Sequence, residues 1–358
     1  MWRVSNTTPS ARRGGAAVRR ISIAVPMFNE APNVASVVED IAKQDFAGEV
    51  EVLVADGGST DGSRELLTAA AARAGLDLSV VENPKRLVAH GLNACVPRAT
   101  GDLVVRLDCR ARYPGTYLRR LAEAAEETGA WNVGGVLDPT GYTSMERAVA
   151  CAMDSPFGGI TWTRHSGSGR VEVDTVYCGA FRPEAFEEAG LYDPAMVDNH
   201  DEELNLRLRK AGGRIVLDPT VRVRYTPAGS FRGVFRRYFN YGLYKVPVML
   251  KHRQVLSARS LAPPAFLASL AALTVASGWL PLARWLLGTE VAVYAGFALT
   301  FGAQSIRRRA ESWRLLPRVV AVFPTFHLSY GVGILVGWVR AAMPASRRTA
   351  SIAPVDTS

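Results

Sequence analysis

The chain has 358 residues, 48% of them hydrophobic, and a formal net charge of +9. That length exceeds one typical domain, so a soluble domain followed by a second region is the first expectation. Four cysteines (Cys95, Cys109, Cys151, Cys178) show neither CxxC spacing nor a paired framework and read as free thiols of a reducing compartment. The basic balance admits nucleic acid, an anionic membrane surface or an anionic substrate. Many arginines flank apolar runs, which favours the membrane surface, and no nucleic-acid motif is present.

Residues 1–19 are rich in Ser, Thr, Ala and Arg, lack an apolar core of export-signal length and are read as a disordered tail. Ile21-Ser22-Ile23-Ala24-Val25 then reads as a buried strand stopping at Pro26. Pro32 opens a helix whose Val34, Val37, Val38 and Ile41 fall at helical spacing. A second strand, Val50 to Ala55, ends at Asp56, and Ser59, Thr60 and Asp61 offer caps for the helix carrying Leu66 and Leu67. Leu78 to Glu82 forms a third strand, Arg86–Ala99 is mostly helical, and a fourth strand from Asp102 to Leu107 ends at Asp108. This alternation predicts a mainly parallel sheet with right-handed crossovers, and such sheets gather ligands at the carboxyl ends of their strands. Glu30, Asp56 and Asp108 fall at three of those ends and are expected to converge.

Further strands are expected at Asn132–Leu137, Thr175–Ala180, Arg214–Leu217 and Val221–Tyr225, with Ser166-Gly167-Ser168-Gly169 as a flexible loop or lid. Phe231–Lys251 mixes aromatic and basic residues, as a segment in the membrane interface does, or an amphipathic helix packed on the protein. Residues 261–281, 289–306 and 317–339 are apolar enough to cross a bilayer core that needs roughly 20 residues. Arg307, Arg308, Arg309, Arg314 and Arg318 lie between the last two, which puts that loop and the region before the first span on the cytoplasmic side. Three spans leave Arg347 and Arg348 outside, which a re-entrant last segment would avoid. The expected organisation is a tail at 1–19, an α/β domain at 20–230, an amphipathic interfacial segment at 231–255, a membrane region of about three helices at 256–343 and a tail at 344–358.

Five segments occur in one order: Pro26-Met27-Phe28-Asn29-Glu30, Asp56-Gly57-Gly58-Ser59-Thr60-Asp61, Asn83-Pro84-Lys85-Arg86, Asp108-Cys109-Arg110 and His200-Asp201-Glu202-Glu203-Leu204. With them the chain resembles, from about Arg20 to Tyr244, the family 2 glycosyltransferases. Among these it is most similar to the membrane-anchored enzymes of bacterial exopolysaccharide assembly, of the succinoglycan type. The resemblance implies a GT-A nucleotide-diphospho-sugar transferase fold followed by C-terminal transmembrane helices. It further implies that the segment of Pro26, Phe28 and Glu30, together with Asp56, binds the donor nucleotide. Helix or turn capping would also account for Asp56 and Asp61, and a tight turn for Gly57 and Gly58. A diphosphate at Lys85 and Arg86 would meet two cations at a positive helix end, although a solvated basic loop is the plainer reading.

Asp108 takes the place of the first Asp of the family's D-x-D, which helps hold Mg²⁺ or Mn²⁺ against the diphosphate. The third position is Arg110, which cannot ligate a metal; either Asp108 works with ligands elsewhere, or Arg110 supplies positive charge directly. Asp201 matches the family's general base, with His200 as its possible partner and Glu202 as the substitute if the register slips by one; an N-cap is the plainer role. Cys178-Gly179-Ala180-Phe181-Arg182 resembles the acceptor-side G-x-x-x-R segment. Arg236, Arg237 and Tyr238 stand where processive members carry Q-x-x-R-W, and its absence implies addition of one sugar. His90, His165 and His252 have no partner at metal spacing.

The resemblance implies an inverting transferase. It would move a single sugar from a nucleotide-sugar donor, a UDP-sugar being favoured, to a polyprenyl-linked saccharide at the cytoplasmic face of the inner membrane. The alternatives are transfer to a polyprenyl phosphate itself, and an inactive domain that binds nucleotide or a partner.

Overall fold

The computed structural model describes residues 15–158, 169–255 and 258–343. The expected lid at 166–168, His165, and the tail arginines Arg347 and Arg348 lie outside them. The chain divides into two compact units, one within 1–136, 167–192 and 204–223, the other within 137–166, 193–203 and 224–358.

In the first unit, strands β1 (Arg20–Met27), β2 (Glu49–Asp56), β3 (Asp77–Glu82) and β4 (Leu103–Arg106) are parallel neighbours. Helices α1 (Ala31–Ala42), α2 (Ser63–Ala74) and α3 (Val88–Cys95) connect them. The apolar runs become strands because both sheet faces are covered: Ile21, Ile23, Val25, Val52, Val54, Leu103 and Val105 are buried on one face, and Ala24, Leu53, Ala55 and Val104 on the other. Pro32 sits in the first turn of α1, and its Val34, Val37, Val38 and Ile41 are buried as the spacing predicts. Gly62 and Gly75 bound α2 with φ of +85° and +67°, values that glycine adopts without strain.

The remaining strands are β5 (Ala111–Arg112), β6 (Asn132–Pro139), β7 (Val171–Glu172), β8 (Tyr177–Phe181) and β9 (Ile215–Tyr225). Between them come α4 (Tyr117–Thr128), α5 (Ser144–Asp154), α6 (Pro183–Ala189) and α7 (His200–Lys210). The nine-stranded sheet is ordered β3-β2-β1-β4-β8-β6-β9-β5, with β7 paired to β9. β8 runs antiparallel to both β4 and β6, so the sheet is mixed with a parallel half. The chain order reverses between β1 and β4, and a crevice opens beyond the carboxyl ends of strands at such a point. Glu30, Asp56 and Asp108 all stand at that edge.

One expectation fails locally: Arg214–Leu217 and Val221–Tyr225 are a single strand, β9, running through Pro219. Asp218 carries the backbone past the proline, its carboxylate accepting both the Thr220 N–H (2.9 Å) and the Thr220 hydroxyl (2.6 Å).

The second unit contains α5, α8 (Phe231–His252), α9 (Ala262–Ala276), α10 (Pro281–Arg308) and α11 (Leu316–Ala342). Three helices, Arg259–Ala276, Pro281–Arg308 and Trp313–Ala342, are long and apolar enough to cross a membrane. The middle one begins well before the expected residue 289. Pro281 starts the helix, and Glu290 within it accepts a hydrogen bond from the Ser269 hydroxyl of α9 (3.0 Å). Helix α5 is a water-compatible helix with a Thr143–Glu146 capping box. It is clasped to the α10–α11 turn: the Ser305 hydroxyl donates to the Cys151 carbonyl (2.5 Å), Arg308 pairs with Asp154 (2.7 Å) and Arg147 with Glu311. Phe157 follows, its ring packed against Tyr294, Phe297, Phe301, Phe323 and His327.

Candidate active site

At the end of β1 the chain turns into α1 through Asn29, whose φ is +51°. Asparagine tolerates this left-handed conformation, and here both its polar ends reach the β2 loop. Its N–H donates to the Ser59 hydroxyl (3.0 Å) and its side-chain oxygen accepts from Thr60 N–H (2.9 Å). Glu30, next in line, is buried. Its N–H donates to the Ser63 hydroxyl (2.8 Å), and its carboxylate accepts from the Asn33 amide (2.6 Å) and Arg110 Nε (2.8 Å). Asp56 is 1% exposed and accepts from the Ser59 hydroxyl at 2.6 Å. Asp61 accepts from Ala31 N–H (3.0 Å) and Ser63 N–H (3.1 Å), so it ties the starts of α1 and α2 together.

The Ser63 hydroxyl, and next the Ala31 N–H, hold the Asp61 carboxyl below its ordinary value of 3.8. A lowered folded pKa contributes stability above the unfolded value that is lost as pH falls through the folded one. Asp61→Ala should therefore flatten the acid limb of stability against pH as pH falls below the ordinary carboxylate value of 3.8. Thermal unfolding midpoints across that range test this; parallel wild-type and mutant curves would refute it.

Phe28, Gly57 and Arg86 form a flat cradle beside these carboxylates. A Cβ on Gly57 would stand 3.0 Å from Phe28 Cδ2, so the ring lies against bare backbone. The Arg86 guanidinium sits 4.9 Å from the Phe28 ring centroid, and its Nε donates to the Gly57 carbonyl (3.0 Å). Arg86 has φ +57°, backbone strain of the kind that collects at functional sites. Pro26 pairs with Ala55 within the sheet, and Lys85 is exposed on the loop before α3, two residues ahead of the Leu87 cap rather than in the helix.

Asp108 is engaged on both carboxylate oxygens. Arg106 Nε and Nη2 donate at 2.9 and 3.2 Å, and the Tyr177 hydroxyl donates at 2.9 Å. Arg106 is buried, as are Tyr113 and Tyr117 of the same cluster; the Tyr113 hydroxyl accepts the Asp108 N–H at 2.7 Å. Burial first, then the Asp108 charge, pushes the Tyr177 hydroxyl well above its ordinary pKa and keeps it a donor.

In the second unit, Asn199 (φ +58°) leads into α7, and its amide donates to the Tyr241 carbonyl (3.1 Å). The first turn of α7 holds three consecutive carboxylates with different surroundings. Glu202 pairs with Lys245 of α8. Glu203 is fully buried between Lys251 (2.7 Å) and His252 (3.0 Å) of the same helix. Asp201 keeps its side chain 24% exposed, with His200 Nε2 at 3.8 Å. His252, set aside as a metal ligand, is thus a partner of Glu203.

Residues 22–190 match the family model for Glycosyl transferase family 2. The Succinoglycan biosynthesis protein ExoA of Rhizobium meliloti (strain 1021) is 30% identical over 314 residues, 87% of this chain and 92% of that protein. The chain belongs to glycosyl transferase family 2. Over 139 residues, 38% of this chain, this glycosyltransferase is 29% identical to the Undecaprenyl-phosphate 4-deoxy-4-formamido-L-arabinose transferase of Klebsiella pneumoniae (strain 342), covering 42% of it. Its GT-A fold matches that of a mannosyltransferase from Pyrobaculum calidifontis in complex with GDP-Man and Mn²⁺. The TM-score is 0.62 at 20% identity, over 92% of this chain and 91% of that one.

Within the first unit of this glycosyltransferase, Phe28, Glu30, Asp56 and Arg86 are linked by direct contacts or through shared loop residues. Arg110 joins Glu30 to the loop that follows Asp108. Sequence reasoning missed the partners, Arg106, Tyr177 and Ser63. Arg106 carried a signal, since an arginine inside Leu103-Val104-Val105-Arg106 is buried with the strand and must find an anion.

Proposed function

We propose that this glycosyltransferase moves one sugar, with inversion, from a nucleoside-diphosphate donor to a lipid-linked saccharide at the cytoplasmic face of the inner membrane, in exopolysaccharide or cell-surface glycan synthesis. The observation that carries the donor assignment is the cradle at the strand-order reversal. There an aromatic ring and bare glycine backbone suit a flat base, two buried carboxylates suit hydroxyl and N–H donors, and Arg86 suits an anion. A UDP-sugar is the favoured donor. In transfer, the Asp201 carboxylate takes the proton of the acceptor hydroxyl, whose oxygen attacks the anomeric carbon from the face opposite the leaving diphosphate. The new C–O bond forms as the old one breaks, and the bond's electron pair leaves with the diphosphate.

Three apolar helices support a multi-pass anchor, and the arginine-rich α10–α11 turn, paired with water-compatible α5, supports a shared cytoplasmic side. A Mg²⁺ or Mn²⁺ ion would rest on Asp108, and the donor set there does not fit a protein-held divalent centre. Asp108 is bound by buried Arg106, and Glu30 by Arg110.

Transfer to a polyprenyl phosphate is the second reading, favoured by the similarity to the undecaprenyl-phosphate 4-deoxy-4-formamido-L-arabinose transferase of Klebsiella pneumoniae (strain 342). The deciding experiment is labelled sugar transfer into the lipid fraction by membranes containing the full chain, over a panel of UDP- and GDP-sugars. A lipid product whose label stays on a saccharide after its phosphodiester is cleaved supports the first reading. Label released as the bare sugar supports the second, and transfer from no donor sinks both.

A further inference from the structure

We infer that Arg110 is a diphosphate-binding residue held in place by Glu30, so that the donor's diphosphate is gripped chiefly by guanidinium groups. This rests on the donor reading above. Arg110 follows β4, its Nε is 2.8 Å from Glu30 Oε1, and its side chain is 40% exposed while that of Glu30 is 10% exposed. The buried partner is the fixed one and the arginine the accessible one. Arginine is suited to this place, since its planar fork offers several donors and one edge can stay on a carboxylate while another meets phosphate oxygens.

The local charges point the same way. Arg106 neutralises Asp108, and Arg110 neutralises Glu30. Asp56 is held by Ser59, with Arg64 shared between it (4.0 Å) and Glu82 (2.7 Å), and Asp61 caps two helices. The carboxylates at this edge thus have partners, while Arg86, stacked on Phe28, and exposed Lys85 add positive charge. An incoming diphosphate therefore meets a site whose anions are already compensated. Such a site needs no added cation to accept it.

The test is equilibrium binding of UDP and GDP to the purified full chain in detergent, in EDTA and in Mn²⁺. Binding in EDTA should persist within about fivefold of that in Mn²⁺. Arg110→Ala should weaken it about ten- to hundredfold in both buffers, the range of a lost bond to a charged group. Arg110→Lys should recover part of the loss, because a point charge replaces the fork incompletely. Unfolding midpoints equal to wild type for Arg110→Lys keep the comparison valid if the alanine variant is unstable. Nucleotide binding that neither Arg110 variant alters, or that collapses in EDTA, overturns this inference alone. Absence of binding in both buffers overturns it together with the donor reading.

Discussion

Asp201→Asn is expected to lower transfer to a hydroxyl acceptor by about 10²–10⁴-fold, the range that a positioned general base contributes. Three features of the first turn of α7 single out this carboxylate. Glu202 is occupied by Lys245, and Glu203 is fully buried between Lys251 and His252, so neither neighbour can take over proton abstraction without breaking an ion pair. Asp201, with its side chain 24% exposed and His200 Nε2 at 3.8 Å, precedes both in the first turn of α7. Asparagine keeps the shape and any capping bond but cannot accept a proton, so a capping role alone would leave activity nearly intact. Affinity for UDP or GDP should stay at the wild-type value, because the donor residues lie in the other unit's loops. An acceptor phosphate is already anionic and needs no base; transfer that survives Asp201→Asn would therefore turn the assignment towards a polyprenyl-phosphate acceptor. Loss in Glu202→Gln with retention in Asp201→Asn would move the base by one residue.

The donor side was legible in the sequence to the extent that chain direction alone could reveal it. Once the apolar runs ending at Pro26, Asp56 and Asp108 are parallel strands, their ends must lie on one edge, and Glu30, Asp56 and Asp108 stand there. What those carboxylates touch was not legible. Arg110 and Glu30 are 80 positions apart, and Tyr177 and Asp108 are 69 apart; no local spacing records such pairs. Pro219 misled because a proline in a strand usually ends it, and the compensating bonds came from the neighbouring Asp218 side chain. The middle apolar helix starts earlier than expected because Pro281 sets its first turn, and the Arg284 charge that interrupts the apolar run is taken up by the Ser277 carbonyl (2.7 Å). The polar contacts of α5 with the α10–α11 turn were equally hidden, since Arg308 and Asp154 are ordinary surface residue types until the fold brings them together.

Gly333→Ala should destabilise the chain by about 3 kcal/mol or more, at or beyond the upper end for overpacking. A Cβ at Gly333 of α11 would stand 2.1 Å from the Phe239 carbonyl of α8. The reciprocal contact is as close: a Cβ at Gly242 of α8 would be 2.2 Å from the Tyr330 carbonyl, and one at Gly337 would be 2.8 Å from Val246 Cγ2. The obstacle at Gly333 is backbone, which cannot turn aside as a side chain can, so the two helices must separate. Small residues spaced four apart, such as Gly333 and Gly337, permit this approach of apolar helices. Gly288→Ala in α10 is the matched control, because nothing lies within 4 Å of the added carbon. There alanine should be neutral or stabilising by about 0.5–1 kcal/mol. Thermal unfolding in detergent separates the cases, and equal midpoints for the two variants would show that the α8–α11 contact does not hold the unit together. The consequence reaches the chemistry through α8 itself. That helix carries Lys245, Lys251 and His252, the partners of Glu202 and Glu203 on either side of one turn beginning at Asp201. Loosening α8 from α11 should therefore reduce transfer even at temperatures where Gly333→Ala remains folded, with the loss in kcat and donor affinity unchanged.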